Sequence, residues 1–207
     1  MNIALVGEMG SGKDTVAKLL KPYGYNRLSL ADPIRKIEKL LSAGEPEDAR
    51  ALLRGISRTL SDYTINAILS GVLQFYTGRK RLQALGTKAV ERQPGIWLDH
   101  LMRKISPATK VVITDCRRRQ ELDEFQKQGF LLIYIDVSPE TQRKHLVARD
   151  SMFNSEDLEH PAESEIKSLR PLCHLVLDNN GELEDLEFQI RSLSENCHHL
   201  RREEAGK

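Results

Sequence analysis

A short apolar run, Ile3-Ala4-Leu5-Val6, passes directly into Gly7-Glu8-Met9-Gly10-Ser11-Gly12-Lys13, and a helical pattern follows over about residues 13–21. Strand, glycine-rich turn and helix in that order, with the spacing G-x-x-x-x-G-K, leave few folds open. Glycines let successive backbone N–H groups turn inward around an anion, and the helix N-terminus adds positive potential. The lysine closing such a loop reaches the outer phosphates of a nucleoside triphosphate. Gly10, Ser11, Gly12, Lys13, Asp14 and Thr15 are therefore the candidate nucleotide-binding residues. The plainer alternative, a glycine-rich turn without a ligand, is disfavoured because strand and helix both stand in register with the motif.

Asp14 occupies the place where such loops carry a Ser or Thr whose hydroxyl meets Mg²⁺. A carboxylate suits a hard cation, directly or through water. Alternatively, Asp14 only solvates the helix start and Thr15 meets the phosphate.

Further short apolar runs read as strands at residues 27–30, 110–114, 131–137 and 174–177, with helical patterns at 118–128, 139–149 and 182–194. Continuous apolar strands joined by helical crossovers define an α/β fold whose parallel sheet of five strands is covered on both faces. The stretch 33–106 is helical throughout, with turn signals at Ala43-Gly44-Glu45-Pro46, Thr77-Gly78 and Gln93-Pro94-Gly95. It is too long for a simple crossover and reads as a helical insertion over the sheet. Residues 150–161 are polar and aperiodic, and read as a mobile loop. At 207 residues the chain is one domain with an insertion rather than two independent domains.

Charge excludes some partners. The 31 Lys and Arg nearly cancel the 30 Asp and Glu, for a net charge of +1, so no global field recruits a polymeric nucleic acid or a membrane surface. The partner expected is a small molecule. The opening apolar run is too short for a signal sequence, and no segment approaches the ~20 apolar residues of a membrane helix. Cys116, Cys173 and Cys197 lack the paired spacing of disulfides or structural zinc. These features lead to the expectation of a cytoplasmic chain, with a monomer and a homodimer both left open. Cys197-His198-His199 reads as a polar helix end, and the tail after Glu195 as solvated and partly disordered.

Asp115 ends the third strand, beside the phosphate loop in a doubly wound sheet. An acid there can hold a Mg²⁺-bound water or a substrate; a helix cap is the alternative. Asp14 and Asp115 are the two candidate metal ligands. Phosphoryl transfer needs charge neutralised and reactants aligned, and arginine's planar fork suits both tasks. Arg143 and Arg149 sit on and at the end of the helix before the polar loop; Arg117 follows Asp115; Arg35, Arg79, Arg81 and Arg92 lie at the start of the insertion and within it.

These motifs, in this order, resemble the deoxynucleoside monophosphate kinases of the phage and bacterial type. The matching residues are Gly10 to Ala17, Leu30-Ala31-Asp32-Pro33-Ile34-Arg35-Lys36, Arg79…Leu82-Gln83…Gly86-Thr87…Arg92…Ile96-Trp97, and Thr114-Asp115-Cys116-Arg117. The resemblance implies a P-loop nucleoside monophosphate kinase fold of the adenylate kinase type, sheet order 2-3-1-4-5, with a lid over about residues 139–165. It implies transfer of the γ-phosphate of ATP, with Mg²⁺, to a (deoxy)nucleoside 5′-monophosphate. By the same implication Asp32, Arg35, Arg79, Gln83 and Arg92, with Asp115 and Arg117, line the acceptor side, while Lys13, Arg143 and Arg149 serve transfer. Trp97 reads equally as a base-stacking platform or as core. Asp115-Cys116-Arg117-Arg118 and Ala162-Glu163-Ser164-Glu165 also resemble animal-type phosphomevalonate kinase, and dephospho-coenzyme A kinase is a third relative. All share the reaction class and differ in acceptor.

Two other classes fit less well. Asp178-Asn179-Asn180-Gly181 has the D-x-x-G spacing of a GTPase switch but follows the last strand, and no N-K-x-D segment accompanies it. A nucleotide-binding module without catalysis is suggested only by Asp14.

Overall fold

β1 (Ile3–Val6) is buried at every residue and lies between two parallel neighbours, β3 (Lys110–Cys116) and β4 (Leu131–Asp136). β2 (Tyr25–Leu28) pairs with the outer edge of β3 and β5 (Leu175–Asp178) with that of β4, both parallel, for a sheet order β2-β3-β1-β4-β5. Strands covered on both faces need apolar side chains on both, which is why β1 shows no alternation. The structure is a computed structural model that describes residues 1–57, 59–149 and 161–205.

The chain folds as two compact units. The first, Met1–Leu28 with Pro107–Lys207, holds the sheet. α1 (Lys13–Leu20) and α10 (Leu183–Ala205) contribute Val16, Ala17, Leu20, Leu186, Ile190 and Leu193 to a core with Ile3, Leu5, Val112, Ile133 and Ile135. α7 (Arg119–Lys127) packs on β4, burying Leu122 and Phe125. α8 (Pro139–Arg149) matches the expected helix, and α9 (Pro161–Leu169) begins within the expected lid range. The expected loop at 150–161 lies outside the described residues up to 160.

Three expectations are corrected. β2 starts at Tyr25 rather than residue 27, because Gly24 (φ +85°) closes a 3-10 turn and the strand begins at once. β5 begins and ends one residue later than read. The tail after Glu195 is helical: α10 runs to Ala205, since no Gly or Pro interrupts it before Gly206. None of the helices in the described residues is long and apolar enough to cross a membrane.

The second unit, Ser29–Ser106, is helical throughout. It comprises α2 (Asp32–Ser42), α3 (Pro46–Ile56), α4 (Asp62–Phe75), α5 (Gly78–Arg92) and α6 (Ile96–Met102). The breaks at Ala43, Thr77 and Gln93 fall where the turn signals stand. The α3–α4 break carries no Gly or Pro; there Ser57 Oγ accepts the Leu60 N–H (3.0 Å) and Ser61 caps α4.

Candidate active site

The phosphate loop leaves the carboxyl end of β1 and enters α1 through Gly12, whose φ of +96° only glycine adopts freely. Lys13 is 8% exposed and folds back over the loop. Its Nζ donates to the carbonyls of Gly7 (2.5 Å) and Glu8 (2.7 Å) and to Ser11 Oγ (3.2 Å).

The next three carbonyls are held by side chains from elsewhere in the sheet unit. Gln142 Nε2 donates to Met9 O (2.7 Å), and Asn179 Nδ2 to Ser11 O (2.8 Å). His145 Nδ1 stands 3.0 Å from Gly10 O; a carbonyl only accepts, so that nitrogen carries the proton. Gly12 O accepts the Val16 N–H (3.0 Å). The carbonyls of residues 7–12 are thus all occupied. An anion entering the loop meets N–H groups and the positive end of the α1 dipole, not repulsive lone pairs.

Close packing enforces this arrangement. A Cβ on Gly10 would lie 2.7 Å from Leu146 Cγ, and one on Gly12 would fall on the Asn179 amide. Sequence reading found the glycines and the lysine but missed Gln142, His145 and Asn179. Gln142 and His145 are one helical turn apart on a helix singled out only for its arginines. Asn179 lies in the segment compared with a GTPase switch; the structure makes it a buried loop support, 9% exposed.

Asp14 is exposed and ion-paired with Arg27 of β2 (3.1 Å). Thr15 beside it is partly buried. Asp115 lies inside β3 where the sheet register slips: Ala4 stands opposite Ile113, but Val6 stands opposite Cys116. Such a bulge re-aims the side chains beside it. Asp115 does not cap α7. That role belongs to Glu121, whose Oε2 accepts the N–H groups of Arg117 (2.8 Å) and Arg118 (3.1 Å). Burial raises the Glu121 pKa, opposed by those two N–H groups. Burial also pushes the Cys116 thiol well up, so Cys116 is packing rather than a nucleophile. Arg143 is exposed on α8. Arg149 ends α8, and its side chain is outside the described residues.

Among the described residues, no three His, Cys, Asp or Glu side chains converge as a metal site. One or two carboxylates, Asp14 and Asp115, nonetheless match what a cation brought in on nucleotide phosphates needs, since Mg²⁺ keeps several waters.

In the helical unit, Arg35 Nη1 donates to Asp32 Oδ1 (3.1 Å) and Ser29 Oγ (3.3 Å), tying down the first turn of α2. Arg79 and Gln83 are exposed one turn apart on α5, and Arg92 is exposed at its end. Arg81 is structural: it donates to Tyr76 O (2.8 Å) and Ser42 Oγ (3.1 Å). Trp97 is 7% exposed and donates to Gly86 O (3.2 Å), so it is a core residue rather than an open stacking platform.

The gluconokinase of Sinorhizobium meliloti 1021 shares the fold at a TM-score of 0.54 and 16% identity, over 96% of both chains. With the lysine-closed loop at the centre of a 2-3-1-4-5 sheet, and with the relatives that follow, the chain is a P-loop kinase, an ATP-dependent phosphotransferase. Those relatives include the dephospho-CoA kinase of Arabidopsis thaliana, 27% identical over 195 residues (92% of this chain, 81% of that protein). The dephospho-CoA kinase of Wolinella succinogenes is 28% identical over 194 residues, 93% and 92% of the two chains. No protein-family model matches the chain.

Proposed function

We propose that this kinase transfers the γ-phosphate of ATP to dephospho-coenzyme A. The observation that carries the choice of acceptor is the end-to-end similarity to dephospho-CoA kinases, which spans the helical unit as well as the loop. The chemistry rests on the loop geometry. The N–H groups of residues 10–15 surround the β-phosphate while Lys13 exchanges its carbonyl partners for β- and γ-phosphate oxygens. Arg143 and Arg149 add positive charge at the transferring group, and Asp115 with Arg117 orients the acceptor or a metal-bound water. Asp14 or Asp115 would hold Mg²⁺ when nucleotide is present, and the ion would supply neutralisation of phosphate charge. The acceptor oxygen forms a bond to the γ-phosphorus as the bond to the bridging oxygen breaks and ADP leaves. Asp32, Arg35, Arg79, Gln83 and Arg92 are the acceptor-binding set of the helical unit.

A (deoxy)nucleoside monophosphate acceptor is the second reading, favoured by the exposed Arg79 and Gln83 on one face of α5 within the motif that resembles those kinases. ADP release from Mg²⁺-ATP is measured against dephospho-coenzyme A, phosphomevalonate and the common ribo- and deoxynucleoside monophosphates. Stimulation by dephospho-coenzyme A alone is the expected result. Stimulation by one monophosphate transfers the assignment to the second reading, and ATP binding with no stimulation across the panel removes both.

A further inference from the structure

The phosphate loop contains a carboxylate. Glu8 follows the first glycine of a loop built to receive a polyanion, and its side chain is only 14% exposed. Left alone, that charge would offset the lysine the loop presents, since Glu8's own carbonyl is bound to Lys13 Nζ. It is not left alone. Lys167 of α9 places Nζ 3.3 Å from Glu8 Oε1. One turn on, Arg170 Nη2 lies 3.0 Å from Asp136 Oδ2 at the carboxyl end of β4, the strand beside β1. The Glu165 carboxylate on the same helix accepts the Arg119 N–H at 3.3 Å.

A pair with one largely exposed partner contributes little to stability. Its effect on the potential inside the loop is a different matter, because a charge carried by the loop itself acts on several phosphate charges together. We propose that Lys167 is a positioning residue for ATP: by neutralising Glu8 it leaves Lys13 and the loop N–H groups as the net charge the polyphosphate meets. The proposal rests on the loop binding ATP and is indifferent to the acceptor.

The test is a double-mutant cycle on the full chain, reading the Kd for Mg²⁺-ATP by calorimetry and KM and kcat in the acceptor-stimulated assay. Lys167→Ala weakens ATP binding about tenfold, with the loss in KM rather than kcat. Lys167→Arg binds as the parent does. Glu8→Gln binds at least as tightly as the parent, and adding it to Lys167→Ala restores affinity. Unchanged binding in Lys167→Ala overturns the proposal. So does a double variant as weak as Lys167→Ala alone, which would make Lys167 a direct phosphate contact. A parent chain that does not bind ATP overturns the phosphate-loop reading and this proposal with it. Equal melting temperatures across the set separate these results from misfolding.

Discussion

Lys13 has the whole of its hydrogen-bonding capacity engaged within its own loop: three donors meet Gly7 O, Glu8 O and Ser11 Oγ. In the proposed reading, phosphate oxygens of ATP replace these acceptors, which hold the lysine aligned beforehand. Lys13→Ala should cost about 3–4 kcal/mol of transition-state stabilisation, read as kcat/KM in the ADP-release assay. Near-normal turnover would remove the assigned site. Arg143, exposed on α8 and proposed to meet charge that develops only during transfer, should behave differently. Arg143→Ala lowers kcat more than it weakens ATP binding, and a pure affinity loss would take it out of the transition-state role. Gly12 illustrates why one glycine of the loop is replaceable by nothing. Its left-handed φ and the Asn179 amide against its α-carbon both exclude a Cβ. Gly12→Ala should abolish detectable ATP binding in calorimetry, whereas Gly24→Ala, with a similar φ but open space around it, should lose stability alone.

At the scale of elements, α8 serves the loop on one face through Gln142, His145 and Leu146, and presents Arg143 on another. Removing Gln142 takes away a buried hydrogen bond to the Met9 carbonyl, at a cost of about 1–3 kcal/mol. Gln142→Leu should therefore lower the urea midpoint and raise KM for ATP together. Lowered stability with unchanged KM would reduce α8 to a scaffold. The helix pattern of 139–149 was legible from sequence because its length and composition are local properties. The partners of Gln142 and His145 were not, since a glutamine and a histidine on a polar helix look like any solvated pair. The bulge in β3 was equally invisible: an apolar strand reads the same whichever register it takes.

For the molecule as a whole, two compact units divide the labour, the sheet unit carrying the loop and the helical unit its own core. The helical unit contains a titrating group of its own. Partial burial, with Lys104 and Arg103 nearby, lowers the His100 pKa from 6.5 to about 4. A histidine whose folded pKa is depressed binds its proton more readily when unfolded. Its contribution to stability is complete above pH 6.5 and is lost as pH falls towards 4. Replacing it by a neutral side chain, His100→Gln, should flatten the dependence of stability on pH across that window, followed by denaturant unfolding at several pH values. An unchanged slope would mean that other groups dominate acid sensitivity.

Sequence by itself determined the strand–loop–helix at the start, the alternation of apolar strands with helices, the helical stretch between β2 and β3, and so the kinase class. Each of these is written in contiguous residues whose backbone preferences and burial needs are local. The tertiary structure decided what contiguous residues cannot encode. It assigned Trp97 to the core, capped α7 with Glu121 rather than Asp115, paired Asp14 with Arg27, and closed the loop's carbonyls with three side chains from α8 and the turn after β5. A hydrogen-bond acceptor at Ser11 meets its donor at Asn179 only once five parallel strands have brought the loop after β1 and the turn after β5 to the same carboxyl end of the sheet.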